Sequence, residues 1–423
     1  MIKRVKDGQK VVSARNYVPN SRRRRIRISW GRSGQVNGSK NKKWEELYLL
    51  YVPSRNLRPP DTGTNLLLDE EANFLAQDSS RDIHSWIKSW IELCEKKHRN
   101  AYRPTEANGR KAFFDLLRET WFCVIDVEKM CLTSLELNDE NKPEAYVALS
   151  YVWGTDQENK HQGHQPDFMK KKEDHRTLQS NIMKRKDDHG IIMEKLPRTI
   201  QDAIKLVQNL GRKLKVRFIW IDSLCILQDN NFKSWKLNAE KMDLIFGNAY
   251  FTICAADGDS STGLRAINPE KRSPLMTTKI KDDLELLVSS SPETVIQRSR
   301  WSTRGWTFQE RILSRRCVVF AGGRIYLQCR ENNYDDSNMS WSSDWRKSPL
   351  CIVQKLQDCP IWFYTTCIEL YTGRNLTEPT DILKAFNGVS RVIEEHMCAP
   401  FLFGLPSSHF DFALLWRPKS GKE

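Results

Sequence analysis

No run of about 18 apolar residues occurs anywhere in the chain, which argues against a membrane-spanning helix. No short apolar run follows a basic start to act as a secretory leader. The pattern C-x-x-C is missing as well. The 11 cysteines (Cys94, Cys123, Cys131, Cys225, Cys254, Cys317, Cys329, Cys351, Cys359, Cys367, Cys398) are odd in number and scattered, so a disulfide framework is not expected and reduced thiols are. Histidine is scarce, with 8 residues placed mostly in charged stretches, and the expectation is no structural metal. There is no G-x-x-x-x-G-K-[ST] loop and no repeat, so the chain is not a self-contained ATPase. These absences predict a reduced, cytoplasmic protein without membrane contact.

What is present begins with charge. The net charge is +14, yet residues 1–60 hold 16 Lys/Arg against 3 acids, which leaves 51 against 50 in the remainder. The excess lies in one basic arm carrying "SRRRRIRISWGR". The run Arg22–Arg27 suits phosphate contact or nuclear import, and a solvated tail is the plainer reading. "PSRNLRPPDTGTN" then reads as a linker.

Beyond it, Ile83, Trp86, Ile87, Trp90, Ile91 and Cys94 recur at helical spacing behind the caps Ser79 or Ser80. "WFCVIDVEKMCLTSL" predicts a strand pair turning at Glu128-Lys129, and "AYVALSYVW" a strand buried on both faces. Residues 155–194 are polar and basic and are expected to form a mobile insertion. "LPRTIQDAIKLVQNLG" predicts a helix stopped at Gly211. Strand Val216–Asp222, a helix through Glu240 and strand Ala249–Ala256 follow, then a helix Trp306–Leu313, strands at Arg316–Phe320 and "RIYLQC", and a helical stretch Ile361–Val392. Strands alternating with helices predict a parallel sheet, with the loops after Val152, Ile221 and Ala255 on one rim, where ligands collect.

Five blocks in this order, "AYVALSYVWG", "LPRTIQDAI", "FIWIDSLCILQDN", "SWKLNAEKMDLIFGNAYFTICAA" and "RGWTFQERILSRR", resemble the fungal heterokaryon incompatibility (HET) domain family from Ala145 to Arg316. Flanking similarity lies in "IHSWIKSWIELCEKKH", "VIDVE", "YTGRNLTEPTDILKAFNGV" and "FDFALLW". The resulting expectation is a basic, disordered arm and linker over 1–65, a helical and strand flank over 66–140, a HET domain over 145–316, and a mixed C-terminal region over 317–423 that ends where relatives continue, as in a truncated product.

The resemblance implies non-self recognition ending in programmed cell death, a function of the innate-immunity kind, with an incompatibility partner protein and with self-association as the switch. HET domains look remotely like Toll/interleukin-receptor (TIR) domains, so the implied fold is α/β with a flavodoxin- or TIR-like parallel sheet, flanked by a helical N-terminal segment and a mixed α+β C-terminal region. Some TIR domains cleave NAD. The segment "SWKLNAE" resembles the TIR segment in which a Trp precedes the catalytic Glu, which assigns Glu240 that role, with NAD as substrate and no bound cofactor. The alternative is a non-catalytic adaptor that recruits a death effector, and a second is a regulator binding nucleic acid through the arginine arm.

The residues themselves leave choices open. Glu240 falls in a row with Leu237 and Leu244, off the core stripe, where partial burial would tune it for proton work or for a developing ribosyl cation. Its neighbours Lys233, Lys236, Lys241 and Asp243 suit a solvent-facing acid equally. Asp222 and Ser223 either hold ribose hydroxyls or form a turn. Trp153 and Gly154 either stack and admit a ligand or serve as core and turn. Arg304 and Glu310 either reach the rim, Arg304 toward a phosphate and Glu310 toward a partner base, or form an internal ion pair that fastens the helix. Cys225, without a nearby His in sequence, reads as packing rather than as a nucleophile.

Overall fold

The computed structural model describes residues 10–17, 25–32, 43–53, 82–98, 107–138, 142–154, 175–229, 233–273, 276–281, 284–289, 291–335 and 348–415. They divide into two units. The smaller contains a five-stranded antiparallel sheet. Lys10–Tyr17, Arg25–Arg32 and Lys43–Pro53 lie side by side, followed by Leu284–Ser289 and then Met276–Lys281. This corrects the expected disordered arm. The stretches "KVVSARNY" and "ELYLLYV" carry β-branched and aromatic residues, a strand signal that the surrounding charge obscures. Arg22, Arg23, Arg24 and the linker 54–65 lie outside the described residues, whereas Arg25 and Arg27 begin a strand.

The larger unit is mixed α/β. Its strands are β1 (Val124–Asp126), β2 (Cys131–Thr133), β3 (Tyr146–Ser150), β4 (Phe218–Ile221), β5 (Phe251–Ala255), β6 (Arg316–Ala321), β7 (Arg324–Cys329) and β8 (Asn333–Asp335). They form one sheet in the order β8-β7-β6-β5-β3-β4-β1-β2. The inner four run parallel, with Val147 opposite Ile219 on one side and Phe251 on the other. Each edge is antiparallel. The expected parallel sheet is therefore confined to the inner four strands, and the pairs at both margins, the expected one turning at Glu128-Lys129 among them, are antiparallel. Short turns explain it: "VEKM" after β1 and the positive-φ pair Gly322-Gly323 after β6 return the chain directly, leaving no room for a crossover helix.

Apolar content places the core. β3, β4 and β5 are buried along their whole lengths, as strands covered on both faces must be. Helix α1 (Ile83–Lys97) buries Ile83, Trp86, Ile87, Trp90, Ile91, Leu93 and Cys94, the expected stripe; Ser79 and Ser80 lie outside the described residues and Asp82 takes the N-cap position. Helix α2 (Arg198–Leu214) starts after Pro197 and continues past Gly211 until Lys215 turns left-handed at φ 54°. Of the predicted insertion, 155–174 lies outside the described residues, but 175–194 is structured, which corrects that part. Thr177 donates its amide to Ser223 O (3.0 Å) and its hydroxyl to Leu224 O (2.5 Å), fastening the segment beside β4.

The helix expected through Glu240 is two helices. After a single turn α3 (Asp222–Cys225), α4 (Lys233–Ala239) stops, Glu240 and Lys241 form a turn, and α5 (Met242–Asn248) resumes. Helix α6 (Trp306–Ile312) packs with α7 (Pro360–Tyr371) and α8 (Lys384–Met397) around Phe308, Ile312, Phe363, Tyr371, Phe386 and Val389. Among the described residues no helix is long and apolar enough to cross a membrane.

One ion pair ties α8 to α5. Arg391 lies 3.2 Å from Asp243, whose side chain is 7% exposed, and also donates to the Glu240 main-chain oxygen. Burial pushes the Asp243 pKa up, and Arg391 opposes that. Arg391→Ala strands a buried acid, so a urea titration at pH 7 is expected to show a loss of about 2 kcal/mol, below the range for a fully enclosed pair because Arg391 itself reaches solvent. A loss under about 0.5 kcal/mol would mean that the pair is idle.

Candidate functional site

The carboxyl ends of β3, β4 and β5 carry the predicted rim, and the three loops do meet there. Beyond β3, Trp153 donates its indole N–H to Asp222 Oδ2 at 2.8 Å, and its carbonyl accepts from Ser260 Oγ at 2.9 Å in the loop after β5. Tyr151 donates its hydroxyl to Ser223 Oγ at 2.9 Å, inside the protein. Asp222 opens α3 and accepts the Ser223 amide at 2.7 Å, so one carboxylate both orders the turn and receives the indole. Gly154 adopts φ 100° and faces Asp259 and Ser260, with a distance of 3.6 Å from its would-be Cβ to Asp259 Oδ2.

The fourth wall arrives from much later in sequence. Trp301, fully buried, donates its indole N–H to Ser150 Oγ at 2.7 Å, and Ser150 donates to Glu310 of α6. Arg304 donates to the Tyr151 carbonyl at 2.9 Å. Its loop is clamped in turn: Gly305 N donates to Asn375 O (2.7 Å), Asn375 N to Thr303 O (2.6 Å), and Arg374 to Arg304 O (3.2 Å). At Gly305 any larger residue would set its Cβ 2.4 Å from Leu376, which is why the backbone can approach so closely.

Two acids give the rim its electrostatics. Asp222 and Glu310 are each partly buried. Burial pushes the Asp222 pKa up to about 6 against the Trp153 and Ser223 donors and the Arg304 charge. Burial likewise pushes Glu310 up to about 7, with the Asp222 charge adding to the rise and Ser150, Arg304 and Arg374 opposing it. Two carboxyl groups that titrate near neutrality around one arginine can divide the roles of proton carrier and fixed anion.

Of the residues expected in the site, Trp153, Gly154, Asp222, Ser223 and Arg304 thus share one rim. Glu240 lies elsewhere in character. Its side chain is exposed in the turn between α4 and α5, and the partial burial expected from its leucine neighbours is not found. The helix break is the reason, since a helical row of Leu237, Glu240 and Leu244 requires continuous helix. Of the two readings of Glu310, rim residue or ion-pair partner of Arg304, the structure has it accept from Ser150 at the rim. Ser150, Tyr151 and Trp301 were missed; their signal was polar or aromatic residues at a strand end and in the loop before "RGWTFQER". Cys225 is buried with its sulfur 3.3 Å from the Ile221 amide, and burial pushes its thiol pKa up, as packing predicts.

Residues 146–310 match the family model described as Heterokaryon incompatibility protein (HET). The matched span opens with β3 and closes on Glu310, so it holds both carboxylates and the strands that present them. Residues 146–310 thus form a heterokaryon incompatibility domain. Neither a curated protein nor a solved structure matches it.

Proposed function

We propose that this chain acts in fungal heterokaryon incompatibility by cleaving the glycosidic bond of a nucleotide at the rim, with NAD as the reference substrate and cell death as the outcome, switched on by self-association. The carrying observation is the arrangement of two acids at the carboxyl ends of the parallel strands, Asp222 under the Trp153 indole and Glu310 on Ser150, with Arg304 held on the Tyr151 carbonyl between them in sequence and burial raising both acids. Asp222, the stronger acid, is the anion for a developing ribosyl cation; Glu310, half-protonated near pH 7, exchanges the proton with water. Taken in chain order, the four parallel strands lie 2-1-3-4, which supports a flavodoxin- or TIR-like core. In such a sheet the crevice falls between the first and third strands, here β3 and β5, where Ser150, Tyr151 and Trp153 stand.

The test is induction of wild type, Asp222→Asn, Glu310→Gln and Glu240→Ala in yeast, following NAD and viability together. Asp222→Asn and Glu310→Gln are expected to preserve both, and Glu240→Ala to be as toxic as wild type. NAD depletion undiminished in both rim variants would end the reading.

A second reading, the adaptor, is favoured by a different observation. Leu402, Phe403, Phe412, Leu414 and Leu415 all stand exposed, Phe403 at 93%, and large apolar groups in water suit a protein partner. Toxicity without NAD loss, abolished by Phe403→Ser but not by the rim variants, would select it.

A further inference from the structure

Away from the rim, three side chains converge inside the larger unit. Cys94 lies in the last turn of α1 and His98 is its C-cap, four residues on, a spacing that puts both on one helix face. Cys329 ends β7. All three are buried, with Cys94 fully enclosed, Cys329 at 1% and His98 at 9% exposure. Cys329 Sγ is 3.4 Å from His98 Nδ1, and one ligand atom from each residue lies within 4.8 Å of the other two.

The 3.4 Å sulfur–nitrogen contact is close to that of two ligands sharing an ion, and the 4.8 Å bound leaves room for the third. Tetrahedral zinc, with bonds of about 2.3 Å to sulfur and about 2.0 Å to nitrogen, sets sulfur and nitrogen about 3.6 Å apart and two sulfurs about 3.8 Å apart. The amides of Glu331 and Asn332 donate to the Cys329 sulfur at 3.4 and 3.2 Å, hydrogen bonds of the kind that orient a sulfur ligand. Packing holds the helix end in place independently. Glu95, next to Cys94, pairs with Arg316 of β6 at 3.3 Å, and that guanidinium lies 4.6 Å from the Tyr250 ring.

We infer that Cys94, His98 and Cys329 bind a zinc ion, with a fourth position left for water or an exchangeable ligand. The ion joins two segments on either side of the matched family span, 231 residues apart at His98 and Cys329, and so closes a long loop around the sheet. It takes the place of the expectation of no structural metal. The spacing Cys94-x-x-x-His98 was visible in "LCEKKH", whereas the third ligand was not.

The full chain, purified without chelator or affinity metal, is expected to hold about one zinc by mass spectrometry of the metal content. Exchange for cobalt is expected to give the intense near-ultraviolet thiolate-to-cobalt band. Cys94→Ser with Cys329→Ser is expected to cut bound metal at least about tenfold, while Cys359→Ser with Cys398→Ser, at exposed positions, leaves it unchanged. His98→Cys, which replaces one ligand by another, is expected to retain metal and guards against a variant that merely misfolds. Wild type that takes up neither zinc nor cobalt overturns the site. So does a Cys94–Cys329 disulfide in peptides alkylated under denaturing conditions.

Discussion

Trp301→Ala is expected to cost about 3–5 kcal/mol, the largest stability loss of any change considered for the rim. Trp301 is fully buried, so the substitution opens a cavity the size of an indole. It also removes the N–H that reaches Ser150 Oγ at 2.7 Å, leaving an enclosed hydroxyl short of one donor. Trp301→Phe separates the two contributions. It keeps most of the volume and loses the hydrogen bond, so about 1–2 kcal/mol is expected, and the difference between variants measures packing alone. Urea titrations at constant slope read both values. An alanine variant within about 1 kcal/mol of wild type would mean that this wall of the rim is not built as described.

Glu310→Gln is expected to act in opposite directions on function and stability. If Glu310 carries the proton, NAD loss falls at least about a hundredfold. Stability, by contrast, rises above neutrality. The carboxyl pKa is raised from 4.5 in the unfolded chain to about 7 in the folded one, chiefly by burial. A raised acid binds its proton more tightly when folded, so its contribution is whole below about pH 4.5 and is lost as pH climbs through about 7. Glutamine escapes that loss. The variant should match wild type near pH 4.5 and exceed it at pH 8 by about 3 kcal/mol, following the size of the shift. A structural carboxylate would give the stability change without the loss of activity. Identical pH dependence in the two proteins would show that burial does not govern Glu310.

The inner strands were legible because burial on both faces demands unbroken apolar runs, as in "AYVALSYVW" and "FIWI", and such runs are visible without knowing their neighbours. The helix α1 stripe was legible for the same kind of reason, since period and burial coincide. Glu240 shows where local pattern fails. Counting 100° per residue presumes continuous helix, and nothing in "KSWKLNAEKMDLIF" announces the turn at Glu240-Lys241. The strands at 10–17 and 25–32 were hidden by charge, because composition weighs a whole segment while a strand needs only alternate positions.

Taken alone, the chain determined its alternation of strand and helix, its parallel inner sheet and the common rim of Trp153, Gly154, Asp222 and Ser223, since each follows from short-range periodicity and from the rule that crossovers bring strand ends to one side. Only the tertiary structure decided that Glu310 and Trp301 complete that rim, that Glu240 faces water, and that Cys329 meets Cys94 and His98. Those pairings span 151 to 231 residues or turn on a single broken helix, and at such separations proximity is set by the packing of the whole core, which no local stretch encodes.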